Sequence, residues 1–116
     1  MTDTSALPTP DHCVADFCLI PIGTPTPSVS AQVAEVQRLL QRSHGIKYSM
    51  HSAGTTLEGT WLDVMTVIGQ AHALLHQQGI LRVQTDIRVG TRTDKMQSPA
   101  DKVAKVEQLL KEGKKE

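Results

Sequence analysis

From His12 to Ile22 the chain is rich in β-forming residues, and Cys13, Ala15, Phe17 and Leu19 alternate with Val14, Asp16, Cys18 and Ile20. That two-residue period predicts a strand with two distinct faces. Pro21, Gly23, Pro25 and Pro27 close it in a turn or loop. Between Ser28 and His44 the apolar residues Val29, Val33, Val36 and Leu40 recur at steps of four, three and four. This is one stripe of a helix, and Gly45 stands where a left-handed cap falls. Ile46, Tyr48 and Met50 then alternate with Lys47, Ser49 and His51, which predicts a second strand. Ala53 and Gly54 allow a tight connection to a third strand over Thr55 to Glu58, closed by Gly59, so the two form a hairpin.

Thr60 followed by Asp63 has the form of a helix cap, and Trp61, Val64, Met65, Ile68, Ala71 and Leu75 supply the stripe of a second helix that ends at Gly79. Ile80 to Val89 returns to strand alternation. Ser98, Pro99 and Asp101 make a helix start, with a cap residue, a proline at the first helical position and an acid in the first turn. Val103, Val106 and Leu110 line that last helix, and Lys111, Lys114 and Lys115 suit its C-terminal end. The order is β-α-β-β-α-β plus a helix. Right-handed crossovers then give an α+β, ferredoxin-like fold, a four-stranded antiparallel sheet carrying both crossover helices on one face, with an additional C-terminal helix. Residues 12–112 form this one domain, residues 1–11 read as a disordered tail, and residues 113–116 as a charged one.

Parity sorts the strand residues. Cys13, Ala15, Phe17 and Leu19, with Ile46, Tyr48, Met50, Thr55 and Leu57 and with Leu81, Val83, Thr85, Ile87 and Val89, are expected to face the helices. The opposite set holds Val14, Asp16, Cys18 and Ile20, then Lys47, Ser49 and His51, then Thr56 and Glu58, then Arg82, Gln84, Asp86 and Arg88. Aliphatics share this second face with ionisable groups while both helices are committed elsewhere. Part of it is therefore expected to be covered by a second subunit around a polar pocket that holds a small ligand.

The chain has 116 residues, one domain's length, with 12 Lys plus Arg against 12 Asp plus Glu. A formal charge of zero argues against phosphate-tracking nucleic-acid or anionic-membrane binding. The three aromatics, Phe17, Tyr48 and Trp61, are too few for a base-stacking platform. No apolar run reaches the roughly 18 residues of a membrane span, and the first residues lack the basic and apolar regions of a signal peptide. A soluble cytoplasmic protein is expected. Cys13 and Cys18 point to opposite faces of their strand and are expected to stay reduced.

No nucleophile motif, Walker loop or dinucleotide fingerprint occurs, so the chain is expected not to be an enzyme and to need no cofactor or metal. His72 and His76 lie four apart on the second helix but lack the Glu of a zinc-protease motif, and are expected to face solvent. His51 falls on the covered face near Glu58, as an interface hydrogen-bonder. The competing readings are an enzyme acting on a small heterocycle or phosphate ester with Glu58 or His51 as acid or base, and an oligomeric partner protein whose covered face is only structural. Arg88, Arg92 and Lys95 around Gly90 could form an anion site.

Four segments carry a family resemblance. Pro21-Ile22-Gly23, Ser52-Ala53-Gly54-Thr55-Thr56-Leu57-Glu58-Gly59, Trp61-Leu62-Asp63-Val64-Met65 and Arg82-Val83-Gln84-Thr85-Asp86-Ile87-Arg88-Val89-Gly90 resemble the thiamine-binding protein family, the former UPF0045 group that includes the YkoF-like proteins. The run Gly90-Thr91-Arg92-Thr93-Asp94-Lys95 is similar to its fungal members. The resemblance covers about residues 12 to 112. It implies a ferredoxin-like subunit that dimerises through its sheet and extends to a homotetramer, binding thiamine or its hydroxymethylpyrimidine moiety without turnover. An aminopyrimidine edge and a cationic thiazolium call for carboxylates, small hydroxyls and close backbone approach. Asp16, Glu58 and Asp86 are expected to accept from the amino group or balance the charge, and Ser52, Thr55 and Thr56 to supply hydroxyls. Gly54 would let the backbone approach the ligand. Thr55 lies on the core parity and needs a bulge to turn outward.

Overall fold

The computed structural model describes residues 4–96 and 98–113. Strands β1 (Cys13–Ile22), β2 (Lys47–His51), β3 (Gly54–Gly59) and β4 (Arg82–Gly90) form one sheet in the order β2-β3-β1-β4. Every pairing is antiparallel. Helices α1 (Ser30–Arg42) and α2 (Trp61–Gln77) provide the two crossovers, and α3 (Pro99–Gly113) follows β4. This is the ferredoxin-like arrangement that the alternation of elements dictates.

The core lies between the central strands and the two crossover helices. Cys13, Ala15, Phe17 and Leu57 from β1 and β3 meet Val36 and Leu40 of α1 and Val64, Val67, Ile68 and Ala71 of α2. The α2 start is fixed by Thr60, whose hydroxyl accepts from the Asp63 backbone N–H at 3.0 Å, and its end by Gly79 at φ +91°. The α1 prediction is two residues too long at each end. Val29 carries no side-chain cap, and the helix stops at Ser43, which is extended, so Gly45 at φ +78° serves the turn into β2 rather than the helix end. The predicted tail holds a short 3-10 helix over Thr4–Ala6 with no buried residue. Its last part is tied down, since the Pro10 carbonyl accepts the Trp61 backbone N–H at 3.2 Å.

Four core expectations fail for one physical reason, that the helices cover the middle of the sheet and not its margins. Tyr48 and Met50 on β2 are 38% and 59% exposed, Ile87 on β4 is 41% exposed, and Leu81 precedes β4 and is 94% exposed. The apolar stripe of α3 is also bare, with Val103, Val106 and Leu110 all exposed. Lys114 and Lys115 lie outside the described residues. No helix among the described residues is long and apolar enough to cross a membrane.

Candidate functional site

The β2–β3 hairpin organises the site. His51 pairs with Gly54 across the two-residue turn Ser52–Ala53. A side chain at Gly54 would bring its Cβ to 2.6 Å from the Phe17 carbonyl oxygen. Glycine is therefore demanded here by the neighbouring strand β1, and the expected approach to a ligand is not its first role. The ladder runs without a bulge, with Thr55 facing Phe17 on one side and Met50 on the other. Thr55 accordingly keeps its core parity, is 4% exposed, and takes a 3.0 Å hydrogen bond from the Gln37 side-chain amide of α1.

His51 is held from both ends. The Ala53 backbone N–H donates to its Nδ1 at 3.2 Å. Because Nδ1 accepts, Nε2 carries the proton and donates to Asp16 Oδ1 at 2.7 Å. The expectation of a His51–Glu58 neighbourhood is thereby corrected. Both residues share a face, but the hairpin register sets Lys47, at the far end of β2, opposite Glu58. Glu58 instead pairs with His12 at 3.0 Å, and both side chains are nearly buried. His72 is corrected as well: it is half-buried and bonded to the Thr85 hydroxyl of β4, while His76 Nδ1 donates to the Ile80 carbonyl at 2.8 Å.

Recesses on the two sides of the sheet divide most of the predicted residues. A cavity of about 220 Å³ opens between α1, the end of β1 and the hairpin tip, and His51, Ser52, Gly54 and Thr55 all line it. Its walls are largely apolar, from Phe17, Leu19, Pro21, Val29, Val33, Val36 and Met50. Gln32 also lines it, and the carbonyl oxygen of the Gln32 side chain is buried with no hydrogen-bond partner. Sequence reasoning missed Gln32 and Gln37. Their signal was present, because both sit on the margins of the Val29–Val33–Val36–Leu40 stripe and are neutral amides where a solvent-facing boundary usually carries charge.

The helix-free face holds the remaining residues. Ser49, Thr56, Asp16 and Arg88 lie in one row across all four strands. Asp16 and Arg88 line a recess of about 370 Å³ with His12, Val14, Arg92 and Lys102. Thr56 and Glu58 line another of about 260 Å³ with Ser98, Pro99 and Ala100. The start of α3 thus approaches the His12–Glu58 end of this face, a cover from the chain itself. Asp86 is exposed on the outermost strand, opposite Cys18. The three anion candidates do not share one recess: Arg88 and Arg92 line the recess of about 370 Å³, Arg92 and Lys95 line a neighbouring one, and the Arg92 guanidinium is engaged with Asp94. That hydrogen bond holds the Asp94 carboxyl down at about 2. Burial raises the Cys13 thiol above its ordinary value, while Cys18 lies on the other face, and both cysteines are free. No group of three or more potential metal ligands occurs among the described residues.

The family model of the thiamine-binding proteins matches residues 15–107. The chain belongs to the thiamine-binding protein family. It is 48% identical over 99 residues to the UPF0045 protein ECM15 of Eremothecium gossypii, covering 85% of this chain and 93% of that one. The UPF0045 protein YqgV of Bacillus subtilis is 42% identical over 100 residues, covering 84% and 96%. Among solved structures, a hypothetical protein of Methanocaldococcus jannascii superposes with a TM-score of 0.75 at 24% identity, covering 84% of this chain and 97% of that one. A candidate thiamine biosynthesis/salvage protein of Thermotoga maritima superposes with a TM-score of 0.68 at 16% identity, covering 82% and 98%. These two establish the shared fold.

Proposed function

We propose that this member of the thiamine-binding family binds thiamine or its hydroxymethylpyrimidine moiety in the cavity between α1 and the β2–β3 hairpin, without turnover. The observation that carries this reading is the orphan carbonyl oxygen of Gln32. A buried acceptor without a donor costs about 1–3 kcal/mol, and a ligand N–H that meets it recovers that loss. The exocyclic amino group of an aminopyrimidine is such a donor. Thr55 already accepts from Gln37, which leaves its own O–H free to donate to a ring nitrogen. The apolar walls suit a flat heteroaromatic ring, and the Asp16 carboxylate behind His51 supplies a counter-charge for the thiazolium.

Both groups considered for acid–base work have partners. His51 offers no vacant nitrogen, because Ala53 and Asp16 occupy both, and Glu58 is paired with His12. This favours holding over turnover. The helix-free face, with its mixture of Val14, Cys18 and Ile20 with Asp16 and Thr56, is sheltered in a homo-oligomer by the same face of another copy, and the fold has no nucleic-acid partner.

Calorimetry tests the ligand reading. Wild-type protein is expected to give saturable heat with thiamine and with hydroxymethylpyrimidine. Gln32→Leu should weaken both about ten-fold or more while leaving stability to denaturant equal or slightly higher, because it removes an unsatisfied buried acceptor. Absence of heat at millimolar ligand, or a Gln32→Leu variant that binds as tightly as wild type, would overturn the assignment.

A further inference from the structure

The chain balances 12 basic against 12 acidic side chains, yet one recess on the helix-free side of the sheet departs from that balance. Arg88 of β4, Arg92 of the loop that follows and Lys102 of α3 line the cavity of about 370 Å³, and Asp16 is the one carboxylate among its lining residues. The acids nearby are committed elsewhere. Asp16 stands directly opposite Arg88 in the β1–β4 ladder, but its Oδ1 accepts from His51, two strands away. Glu58 is paired with His12, Asp101 caps the Ser98 backbone N–H, and Asp94 holds Arg92. Asp86, two residues along β4, forms no ion pair with Arg88 either. The side chains of Arg88 and Lys102 have no ion pair or hydrogen bond among the described residues. Three separate elements thus gather cations into one concave site, two of them without an acid to balance them, which focuses positive potential there.

We propose that this recess binds the phosphoryl group of a small phosphate monoester, at a site separate from the α1 cavity. The ligand class follows from the donors. A carboxylate has two oxygens and a single charge, which one guanidinium fork satisfies. A phosphate monoester carries about −1.5 to −2 charge and three terminal oxygens at pH 7. It accepts from the fork of Arg88 and from the ammonium of Lys102 together, with Arg92 as a fixed cation on the wall. The cavity volume lies within the range of small-molecule sites, so it admits more than the phosphoryl group. Val14, Val89 and Pro99 offer the esterified part of the molecule an apolar surface. A nucleic-acid backbone needs cations spread along a track. Here they converge on one point in a chain of zero net charge, which suits a single phosphoryl group.

Amide resonances of the full-length protein read this site apart from the α1 cavity. The probes are inorganic phosphate and phenyl phosphate, with acetate at matched ionic strength as the control anion. Both phosphates are expected to give saturable shifts at residues 88–92 and 100–102, and acetate none that saturate. Arg88→Gln and Lys102→Gln should each weaken phenyl phosphate binding about ten-fold or more. Arg82→Gln, at the other end of β4 and outside the recess, should leave it unchanged. All three side chains are exposed, and the same spectra show that each variant is folded. Hydroxymethylpyrimidine should still shift residues 32 and 52–55 in Arg88→Gln, and Gln32→Leu should bind phenyl phosphate as the wild type does, so either site can fail without the other. No saturation at millimolar phosphate, acetate shifts equal to those of phosphate, or a loss from Arg82→Gln as large as that from Arg88→Gln would overturn the proposal.

Discussion

The centre and the margins of this sheet obey the same alternation and meet different fates. In β1 and β3 the helix-side residues Cys13, Ala15 and Leu57 are fully buried, with Phe17 at 3%. In β2 and β4 residues of the same parity are less covered: Met50 is 59% and Ile87 41% exposed, and Val83, Thr85 and Val89 are only half-buried. Two helices are wide enough to roof two strands. Alternation therefore reports which face a side chain takes, and the position of its strand in the sheet decides how deeply it is buried. The outer strands are left with apolar surface that the two helices do not cover.

The largest effect should come from cutting the centre. Leu57→Ala is expected to cost about 2–5 kcal/mol in denaturant unfolding, whereas Met50→Ala on the adjacent edge strand should cost less than about 1 kcal/mol. Equal losses would mean that the margin is as well packed as the middle. Next in size is Gly54→Ala. Its Cβ would meet the Phe17 carbonyl oxygen at 2.6 Å, a backbone atom that cannot swing aside. A loss of about 1–3 kcal/mol is expected from the forced shift, together with disturbed Ser52 and Thr55 amide resonances. A stable variant with unchanged spectra would show that β1 and the hairpin tip are loosely joined.

The smallest effect concerns the outlying helix α3. Asp101 Oδ2 accepts from the Ser98 backbone N–H, and the Ser98 hydroxyl accepts from the Asp101 backbone N–H, each at 3.1 Å. These bonds, led by the one to the Ser98 backbone, hold the Asp101 carboxyl below its ordinary value. A group depressed in the folded state contributes above its unfolded value and loses that contribution as pH falls through the folded one. The first turn of α3 should therefore fray only below about pH 4, read as weakened amide protection at residues 101–103. Asp101→Asn should abolish this pH dependence while leaving the unfolding midpoint of the sheet unchanged.

The fold was legible because its punctuation is strong. Thr60 caps α2, Gly79 ends it, and Ser98 with Asp101 opens α3, each through a hydrogen bond or backbone conformation that the residue type dictates. The strand order followed from the element order alone. The site was only half legible. Parity placed His51, Asp16, Thr56 and Glu58 on one face correctly, but pairing partners depend on register along the hairpin, so Glu58 went to His12 and His51 to Asp16. Parity also turned Thr55 inward, where it became part of a cavity wall rather than of the outer face. The signal of Gln32, a neutral amide on the margin of the α1 stripe, was weak, and its meaning became plain when its carbonyl oxygen was found buried without a donor.

A crystal structure of the protein grown with hydroxymethylpyrimidine tests the ligand assignment most directly. The account predicts the ring between α1 and the hairpin tip, with its amino group within hydrogen-bond distance of Gln32 Oε1 and a ring nitrogen facing the Thr55 hydroxyl. A pyrimidine seated only on the helix-free face beside Asp16 and Arg88, with the α1 cavity holding none, would contradict it.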